Sequence, residues 1–261
     1  MKGFLADVEF IWGFQSRVVG MSKSSPSFLL PPPTTVLGAI AEAYARRKGL
    51  SEGRASATMT ELAKDLLLLT YKPLNAVPLS YQDLNRILAV RTSAGVSYPS
   101  TKDPYGSYDA PARGKTILST VDERPPTLRI FAVFKDSADV EASDLWRVRR
   151  IGSKESMVSV VEVVEGEPEV IRGGGVETDY LLPLTPELER ALSGRTGLLE
   201  LEFVPVYSLR QGEPPAKLYL EGRTVKHVVS VPPFRRGVRV RLPPGYVGYK
   251  MGEEVAVGHE G

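Results

Sequence analysis

Cysteine is absent from this chain of 261 residues, and only two histidines occur, His227 and His259. Without cysteine there is no disulfide and no thiolate metal ligand, and two histidines cannot form a histidine-rich metal site. Any metal would have to bind to carboxylates alone, so we expect neither a metal nor another cofactor. No apolar run approaches the roughly 20 residues that cross a bilayer. Together with the acids Asp7 and Glu9 near the N-terminus, this predicts a cytoplasmic protein with no membrane partner.

Amide side chains are scarce, whereas proline is abundant with 21 residues. Asparagine and glutamine occur at five positions only, namely Gln15, Asn75, Gln82, Asn85 and Gln211. This composition is typical of thermophile proteins. The formal net charge is only +2. Overall charge therefore does not predict nucleic-acid binding, which would have to depend on local clusters of cations.

The segment from Ser27 to Gly49 has the most specific pattern, with three consecutive prolines before a run of small residues. The prolines force an extended approach to the helix that follows. Thr34 or Thr35 is predicted to cap this helix, and Gly49 to end it after a basic last turn. Apolar residues recur at helical spacing and predict one buried face, namely Val36, Ala39, Ile40, Ala43 and Tyr44.

Periodicity predicts strands at 2–12, 87–92, 127–134 and 157–164. A possible capping box at 58–61 begins a second helix with Leu62, Leu66 and Leu69, although 66–69 could equally be extended. Ser143 is predicted to cap a short helix. The order strand, helix, strand, strand, helix, strand is ferredoxin-like, as in RNA-recognition modules. We therefore predict an α+β protein with a ferredoxin-like (RRM-like) domain over 1–165.

Residues 93–119 interrupt this domain with glycines, prolines and three tyrosines, and they predict a projecting hairpin or a mobile loop. Tyr98, Tyr105 and Tyr108 could stack on unpaired bases or pack the loop against the domain. From residue 166 a smaller β-rich C-terminal domain is expected over 166–261. Its predicted strands are 169–171, 198–206, 217–220, 224–231 and 237–242, with a helix at 185–192. The tryptophans, Trp12 and Trp146, are expected in the core.

Basic residues concentrate in four segments. They are the loop after the first strand, the insertion at 93–119, the region around the short helix predicted after Ser143, and a stretch near the C-terminus. Lysine and arginine neutralise phosphates, and glycine or serine turns expose amides to the same anions. The segment 150–156 combines basic side chains with glycine and serine, which predicts contact with RNA. The alternative is a tight structural turn whose charges are solvated. The candidate RNA-binding residues are Arg17, Lys23, Arg113, Lys115, Arg147, Arg150, Ser153, Lys154, Ser156, Arg235 and Arg236.

Two motifs carry a family resemblance. A first strand that ends in Trp12-Gly13, a polar loop and the run Leu-Pro-Pro-Pro-Thr-Thr-Val-Leu-Gly at 30–38 resemble the N-terminus of the Cas-five family, the fifth family of CRISPR-associated proteins. The segment Arg150–Ser156 is similar to the glycine-containing turn before the last strand of that family's first domain. The resemblance covers roughly the first 165 residues. It implies a RAMP-superfamily subunit of a type I CRISPR surveillance (Cascade) complex, with the archaeal-looking composition suggesting type I-A.

The resemblance also implies partners and a role in antiviral defence. Family members hold the five-prime, repeat-derived handle of the guide RNA, abut the terminal Cascade backbone subunit and contact the Cascade large subunit. We find no Walker loop, dinucleotide fingerprint or useful His-Asp pair, and His227 and His259 are poorly placed for catalysis. A non-catalytic subunit is therefore predicted. The alternatives are a metal-independent endoribonuclease that processes precursor guide RNA, and a protein scaffold without RNA contact.

Overall fold

The computed structural model describes residues 1–18, 26–84, 87–88, 91–93, 96–98, 108–109, 112–194, 197–205, 217–218, 221–234 and 237–260. The first part contains β1 (Lys2–Phe10), β2 (Gly13–Phe14), α1 (Pro33–Arg47), a 3-10 turn (Glu52–Arg54), α2 (Ala55–Asp65), β3 (Leu66–Pro73), β4 (Ala76–Leu84), β5 (Ile87–Leu88), β6 (Arg91–Ser93), β7 (Val96–Tyr98), β8 (Tyr108–Asp109), β9 (Ala112–Thr120), β10 (Thr127–Phe134), α3 (Ala142–Trp146) and β11 (Val158–Gly166).

The rest of the chain is rich in short strands, as predicted. It contains β12 (Glu169–Ile171), β13 (Gly175–Thr178), β14 (Leu182–Pro183), α4 (Pro186–Ala191), β15 (Leu192–Ser193), β16 (Leu198–Pro205), β17 (Thr224–Ser230), β18 (Val238–Arg241), β19 (Tyr246–Met251) and β20 (Glu254–His259). The prediction of a strand at 217–220 is wrong, because Lys217 and Leu218 are helical. Across the described ranges, none of the helices has the length and apolar character to span a membrane.

A four-stranded antiparallel sheet organises the first part, with strand order β11-β1-β10-β3. Alternate residues of β1 are fully buried and pack with α1, as the period of two in the sequence requires. They are Phe4, Ala6, Val8 and Phe10. Helices α1 and α2 follow β1, and α3 precedes β11, so the elements around the sheet have the predicted order. The predicted α+β class is confirmed.

Residues 66–69, ambiguous by periodicity, lie in a strand. Leu66 and Leu69 face the core that contains α1, whereas Leu67 and Leu68 face a second core on the other side of the sheet. A strand buried on both faces carries no alternation of apolar and polar residues, which explains the ambiguity. The helix predicted to continue through Leu69 therefore ends at Asp65.

Three predicted helix caps are wrong. Helix α1 begins at Pro33 after Pro32, without a side-chain cap, and Thr35 Oγ1 instead lies 3.0 Å from Ser16 Oγ. The second helix begins at Ala55, so Thr58 lies within it. Glu141, and not Ser143, caps α3 through a reciprocal capping box with Asp144. A tertiary contact of Thr35 and the Glu141–Asp144 pair thus take the place of the expected caps of α1 and α3, whereas α2 begins without a side-chain cap.

The basic last turn of α1 holds α3 in place. Arg47 Nε donates to Asp144 Oδ1 at 2.6 Å, and Arg47 Nη1 donates to Glu141 Oε1 at 3.0 Å. Asp144 is fully buried, and its hydrogen bond raises the pKa of Arg47. Trp146, at the end of α3, is 49% exposed, so its predicted core position is wrong. The basic residues at 46–48 therefore connect α1 to α3, in addition to interacting favourably with the negative end of the α1 dipole.

A second sheet is formed by β2, β9 and β4, with β9 in the middle. Strands β4 and β9 form a long antiparallel hairpin whose register runs from Ala76↔Thr120 to Leu84↔Ala112. The C-terminal part of the predicted insertion is therefore a regular strand. Tyr98 and Tyr108 lie in β7 and β8, and Tyr105 lies outside the described residues.

The C-terminal hairpin β19–β20 packs on the face of the first sheet opposite α1, around Phe131, Tyr249 and Met251. Charged side chains connect the two layers. Arg129 Nε donates to Asp7 Oδ1 at 2.7 Å, and its Nη1 donates to Glu254 Oε1 at 2.8 Å. The division at residues 165–166 stays a prediction, while the packing shows that the two segments share a core.

Candidate nucleic-acid interface

The turn at 150–156 is held by its own backbone. Arg150 bridges to Met157, and the Ile151 amide donates to the Ser156 carbonyl at 3.1 Å. Gly152 has a φ of 113°, and a Cβ there would lie 2.7 Å from the Gln15 carbonyl oxygen. Only glycine combines this left-handed φ with such a close approach to another backbone segment. The glycine of the motif therefore allows the turn to lie directly against the segment that follows β1.

Gln15 connects three distant segments at this point. Its amide donates to Ser156 Oγ at 3.0 Å, and its carbonyl accepts from the Ser153 amide at 2.9 Å. Its side-chain Nε2 donates to the Gly114 carbonyl in β9 at 3.2 Å. We call these four residues, Gln15, Gly114, Ser153 and Ser156, the joint. It fixes the end of the first strand, the β4–β9 hairpin and the turn relative to one another.

Three cations project around the joint. Arg17 is exposed two residues beyond Gln15, while half-buried Arg150 and exposed Lys154 lie on either side of Gly152 and Ser153. None of the three forms an ion pair with another residue in the described ranges. Their charges are thus free of carboxylate partners there, which suits them to bind phosphate groups.

The two serines of the turn have structural partners. Ser156 is fully buried, and its Oγ lies 3.1 Å from Ser153 Oγ. The amides of Ile151, Ser153 and Ser156 also donate within the protein. An RNA phosphate would have to displace these bonds to reach the hydroxyls or these amides. The predicted RNA contacts of Ser153 and Ser156 therefore stay a prediction that the hydrogen bonding disfavours, and Arg150 and Lys154 are the accessible groups of the turn.

Lys115 and Trp12 lie beside the joint. Lys115 Nζ is 5.7 Å from the Trp12 ring centroid and 3.8 Å from Glu155 Oε2. Trp12 Nε1 donates to the Glu155 carbonyl at 3.0 Å, so the half-exposed indole caps the turn rather than filling the core. The prediction of a core position for Trp12 is wrong, because this hydrogen bond places the ring at the surface.

A groove of about 620 Å³ opens next to Trp12. Its floor is the outward face of the β4–β9 hairpin, where Leu79 lies opposite Ile117 and Tyr81 opposite Lys115. Tyr81 is 47% and Leu79 51% exposed. Sequence reasoning missed these residues, although their period of two along β4 and β9 was a usable signal. The groove adds an exposed aromatic and apolar surface next to the cations.

The remaining candidates are placed elsewhere or lie outside the described residues. Arg147 is exposed at the end of α3, where its carbonyl accepts from Arg46, and no contact in the described part of the chain links it to the joint. Arg113 lies in β9 in register with Asp83. Lys23, Arg235 and Arg236 lie outside the described residues, so their predicted roles stay predictions.

The histidines do not face the joint. His227 lies in β17 with 3% of its surface exposed, and its Nδ1 is 3.1 Å from the Val225 carbonyl oxygen. Burial lowers the pKa of His227 to about 4. His259 lies 4.7 Å from Tyr246 between ring centroids, and burial lowers its pKa too. Both rings pack against the C-terminal strands.

Comparisons with known proteins agree with the sequence motifs. A family model described as "CRISPR-associated protein (Cas_Cas5)" matches residues 5–226. A relative from Saccharolobus solfataricus, "CRISPR-associated protein Cas5 2", is 27% identical over 188 residues, 70% of this chain and 68% of the relative. A second relative from that organism, "CRISPR system aCascade subunit Cas5 1", is 27% identical over 177 residues, 65% of this chain and 67% of the relative.

Structural similarity extends over the full chain. A crystal structure of a CRISPR protein from Archaeoglobus fulgidus matches with a TM-score of 0.72 and 37% sequence identity, covering 100% of both chains. The family model covers the first sheet, the hairpin and the turn together, which are the elements that build the joint. On this evidence, the chain belongs to the Cas-five family of CRISPR-associated proteins.

Proposed function

We propose that this chain is a non-catalytic, RNA-binding subunit of a type I CRISPR surveillance (Cascade) complex. In this role it holds the five-prime, repeat-derived handle of the guide RNA, caps the backbone filament next to the backbone subunit and contacts the large subunit. Family membership and the name of one relative, an aCascade subunit, support the complex. The observation that carries RNA binding is a group of three cations around the joint that have no carboxylate partner among the described residues, namely Arg17, Arg150 and Lys154.

Cations elsewhere provide the contrast. Arg149 pairs with Glu42 at 2.9 Å, and Arg47 pairs with Asp144 and Glu141. A phosphate that binds to such a side chain must compete with a carboxylate already in place, whereas Arg150 and Lys154 carry no such cost. The exposed ring of Tyr81, opposite Lys115 in register, adds a face on which an unpaired base can stack. Phosphate and base contacts would thus lie side by side.

Salt dependence tests the phosphate contacts. We expect the protein to bind single-stranded repeat-derived RNA with an affinity that falls as salt rises. Arg150→Ala combined with Lys154→Ala should lower the log-log salt slope by about 1.4, since each phosphate contact on a single strand contributes about 0.7. The same relation predicts about 25-fold weaker binding near 0.1 M salt. Fluorescence anisotropy over a salt series measures both quantities.

The matched control removes one cation from the 3-10 turn before α2 and one from α2 itself. Arg54→Ala with Lys64→Ala changes the net charge equally, and both side chains are exposed and without an ion pair in the described ranges. This variant should keep the wild-type slope. Both variants should melt within a few degrees of wild type, because surface charges contribute within about 0.5 kcal/mol. An equal slope for the 150/154 variant and wild type would contradict the RNA surface and favour the protein scaffold.

The non-catalytic role has its own test. Incubation of the protein with precursor repeat RNA, without metal, should leave the RNA intact, because the buried ring of His227 cannot reach a scissile phosphate from its strand. Denaturing gel electrophoresis of end-labelled RNA gives the readout. A single specific cut that disappears in His227→Ala, or in a tyrosine variant such as Tyr81→Phe, would replace this proposal with the processing endoribonuclease.

A further inference from the structure

Strand β11 is an open edge of the first sheet. It pairs with β1 on one side, and it is the terminal strand in the order β11-β1-β10-β3. In the described part of the chain, no backbone hydrogen bond joins the other side of Ser159–Gly166 to another segment. Five of its residues are exposed: Ser159, Val161, Glu162, Val164 and Glu165. This edge therefore presents free backbone donors and acceptors over a strand length sufficient for a further strand.

The opposite edge of the same sheet is closed. The Leu181 amide donates to the Tyr71 carbonyl of β3 at 2.8 Å, and Thr70 Oγ1 donates to the Leu181 carbonyl at 2.6 Å. The C-terminal hairpin also covers Leu67 and Leu68 of β3. Within the described residues, the protein thus satisfies one edge with its own chain and leaves β11 open, with Val161 at 46% and Val164 at 45% exposure.

The open edge is acidic. Its sequence, Val-Ser-Val-Val-Glu-Val-Val-Glu-Gly, contains two glutamates, no lysine, no arginine and no proline. Exposed glutamates continue this charge at both ends of the strand, at Glu155, Glu167 and Glu169. Native edges are commonly protected by lysine or proline, which this strand lacks. Negative charge repels RNA phosphates, so this surface is unsuited to the guide RNA.

Self-association of this edge is disfavoured. A symmetric antiparallel pair centred between Val163 and Val164 would set Glu162 of each copy opposite Glu165 of the other, and like charges directly opposite are destabilising. A bulge at Val161, between the pairs Asp7↔Glu162 and Val8↔Val160, leaves residues 162–166 as the regular part of the edge for any incoming strand. Glu162 and Glu165 are three positions apart and project from opposite faces of the strand, so an incoming strand with cations at the same spacing of three would instead meet both glutamates favourably. Charge therefore selects a different chain with a basic extended segment.

We propose that β11 is a docking edge that takes up an extended, basic segment of a partner protein by strand addition. Main-chain hydrogen bonds supply the pairing, and two glutamates select lysine or arginine on the incoming strand: Glu165, which has no cation partner among the described residues, and Glu162, which shares its charge with Arg129 at 3.8 Å. The proposal is independent of RNA binding, because the joint and the edge use different residues.

The test uses the full-length protein and three synthetic seven-residue peptides. The first carries two lysines three positions apart among valines, the second replaces its lysines with glutamate, and the third is the basic peptide with N-methylated valines, which lack amide donors. We expect the basic peptide to bind at least about tenfold more tightly than either of the others, since several hydrogen bonds of about 1 kcal/mol each are lost on methylation. Hydrogen exchange of the amides at 159–166 should slow on binding.

Two variants complete the design. Glu162→Lys with Glu165→Lys should weaken binding of the basic peptide at least about tenfold and allow the acidic peptide to bind, whereas the equal charge change at the exposed Glu61→Lys and Glu123→Lys should do neither. Equal binding of the methylated and unmethylated peptides, absence of binding, or protection of amides away from 159–166 would each overturn the proposal. The peptide and exchange measurements on wild type decide it even if the lysine variant fails to fold.

Discussion

Replacing Gly13 by alanine is expected to destabilise the protein by about 4 kcal/mol or more, as is typical when a buried backbone cannot accept a side chain. Gly13 has a φ of 148°, and a Cβ there would lie 2.0 Å from the Thr116 carbonyl oxygen and 2.9 Å from the Ile117 Cα. Both neighbours are backbone atoms of β9, so no side-chain rotation relieves the clash. Urea denaturation followed by circular dichroism measures the loss.

Gly53→Ala is the matched control. Nothing lies within 4 Å of the Cβ that would be added at Gly53, and the backbone there does not have a positive φ. This variant should match wild type or gain up to about 1 kcal/mol, because alanine restricts the unfolded chain. A free energy of unfolding for Gly13→Ala within about 1 kcal/mol of wild type, and so close to that of Gly53→Ala, would refute the close approach of β2 to β9.

Lowering the pH from about 7 to 4 is expected to cost about 3 kcal/mol of stability through His227 alone, at 1.36 kcal/mol per pKa unit. Burial lowers the pKa of His227 from 6.5 to about 4. Between these values the unfolded chain binds a proton at this residue and the folded chain does not, so the free energy of unfolding falls as the pH falls. Below the folded pKa both states are protonated and the contribution is constant.

The measurement compares wild type with His227→Asn over a pH series. Asparagine keeps an amide donor for the Val225 carbonyl but does not titrate in this range. Carboxylates contribute equally to both proteins, so the difference in free energy of unfolding isolates His227. His259→Asn should give a smaller change, because His259 is more exposed than His227. A difference between wild type and His227→Asn that stays constant with pH would show that the ring is solvated in solution.

Local patterns predicted several strands with bounds close to those in the structure. The strand predicted at 127–134 has those bounds although both of its faces are buried, and the first strand ends at Phe10 rather than Trp12. Leu66–Leu69 could not be assigned, because a strand buried on both faces has no period. The glycine turn at 150–156 was located by its family resemblance, since its composition alone fits many surface turns.

The joint could not be predicted, because its hydrogen bonds link residues far apart in sequence. No local pattern marks Gln15 as the partner of Gly114, Ser153 and Ser156. The hydrogen bond between Arg47 and Asp144 could not be predicted either, because it also links distant residues. A basic last turn of a helix is already explained by the helix dipole, so it gave no reason to expect a further partner. Sequence reasoning found the cations of the turn, whereas their lack of carboxylate partners required the structure.

The sequence separations in the joint set the order in which the proposed RNA surface is completed during synthesis. Gln15 can bond to Gly114 only after 99 further residues have been made, and to Ser156 only after 141. Closing such loops costs entropy before any bond is gained, and a nascent chain folds from its N-terminus as it is made. A chain released before the turn is synthesised would display Arg17 without its neighbours. Since β11 begins two residues after Ser156, the joint and the last strand of the first sheet are completed together.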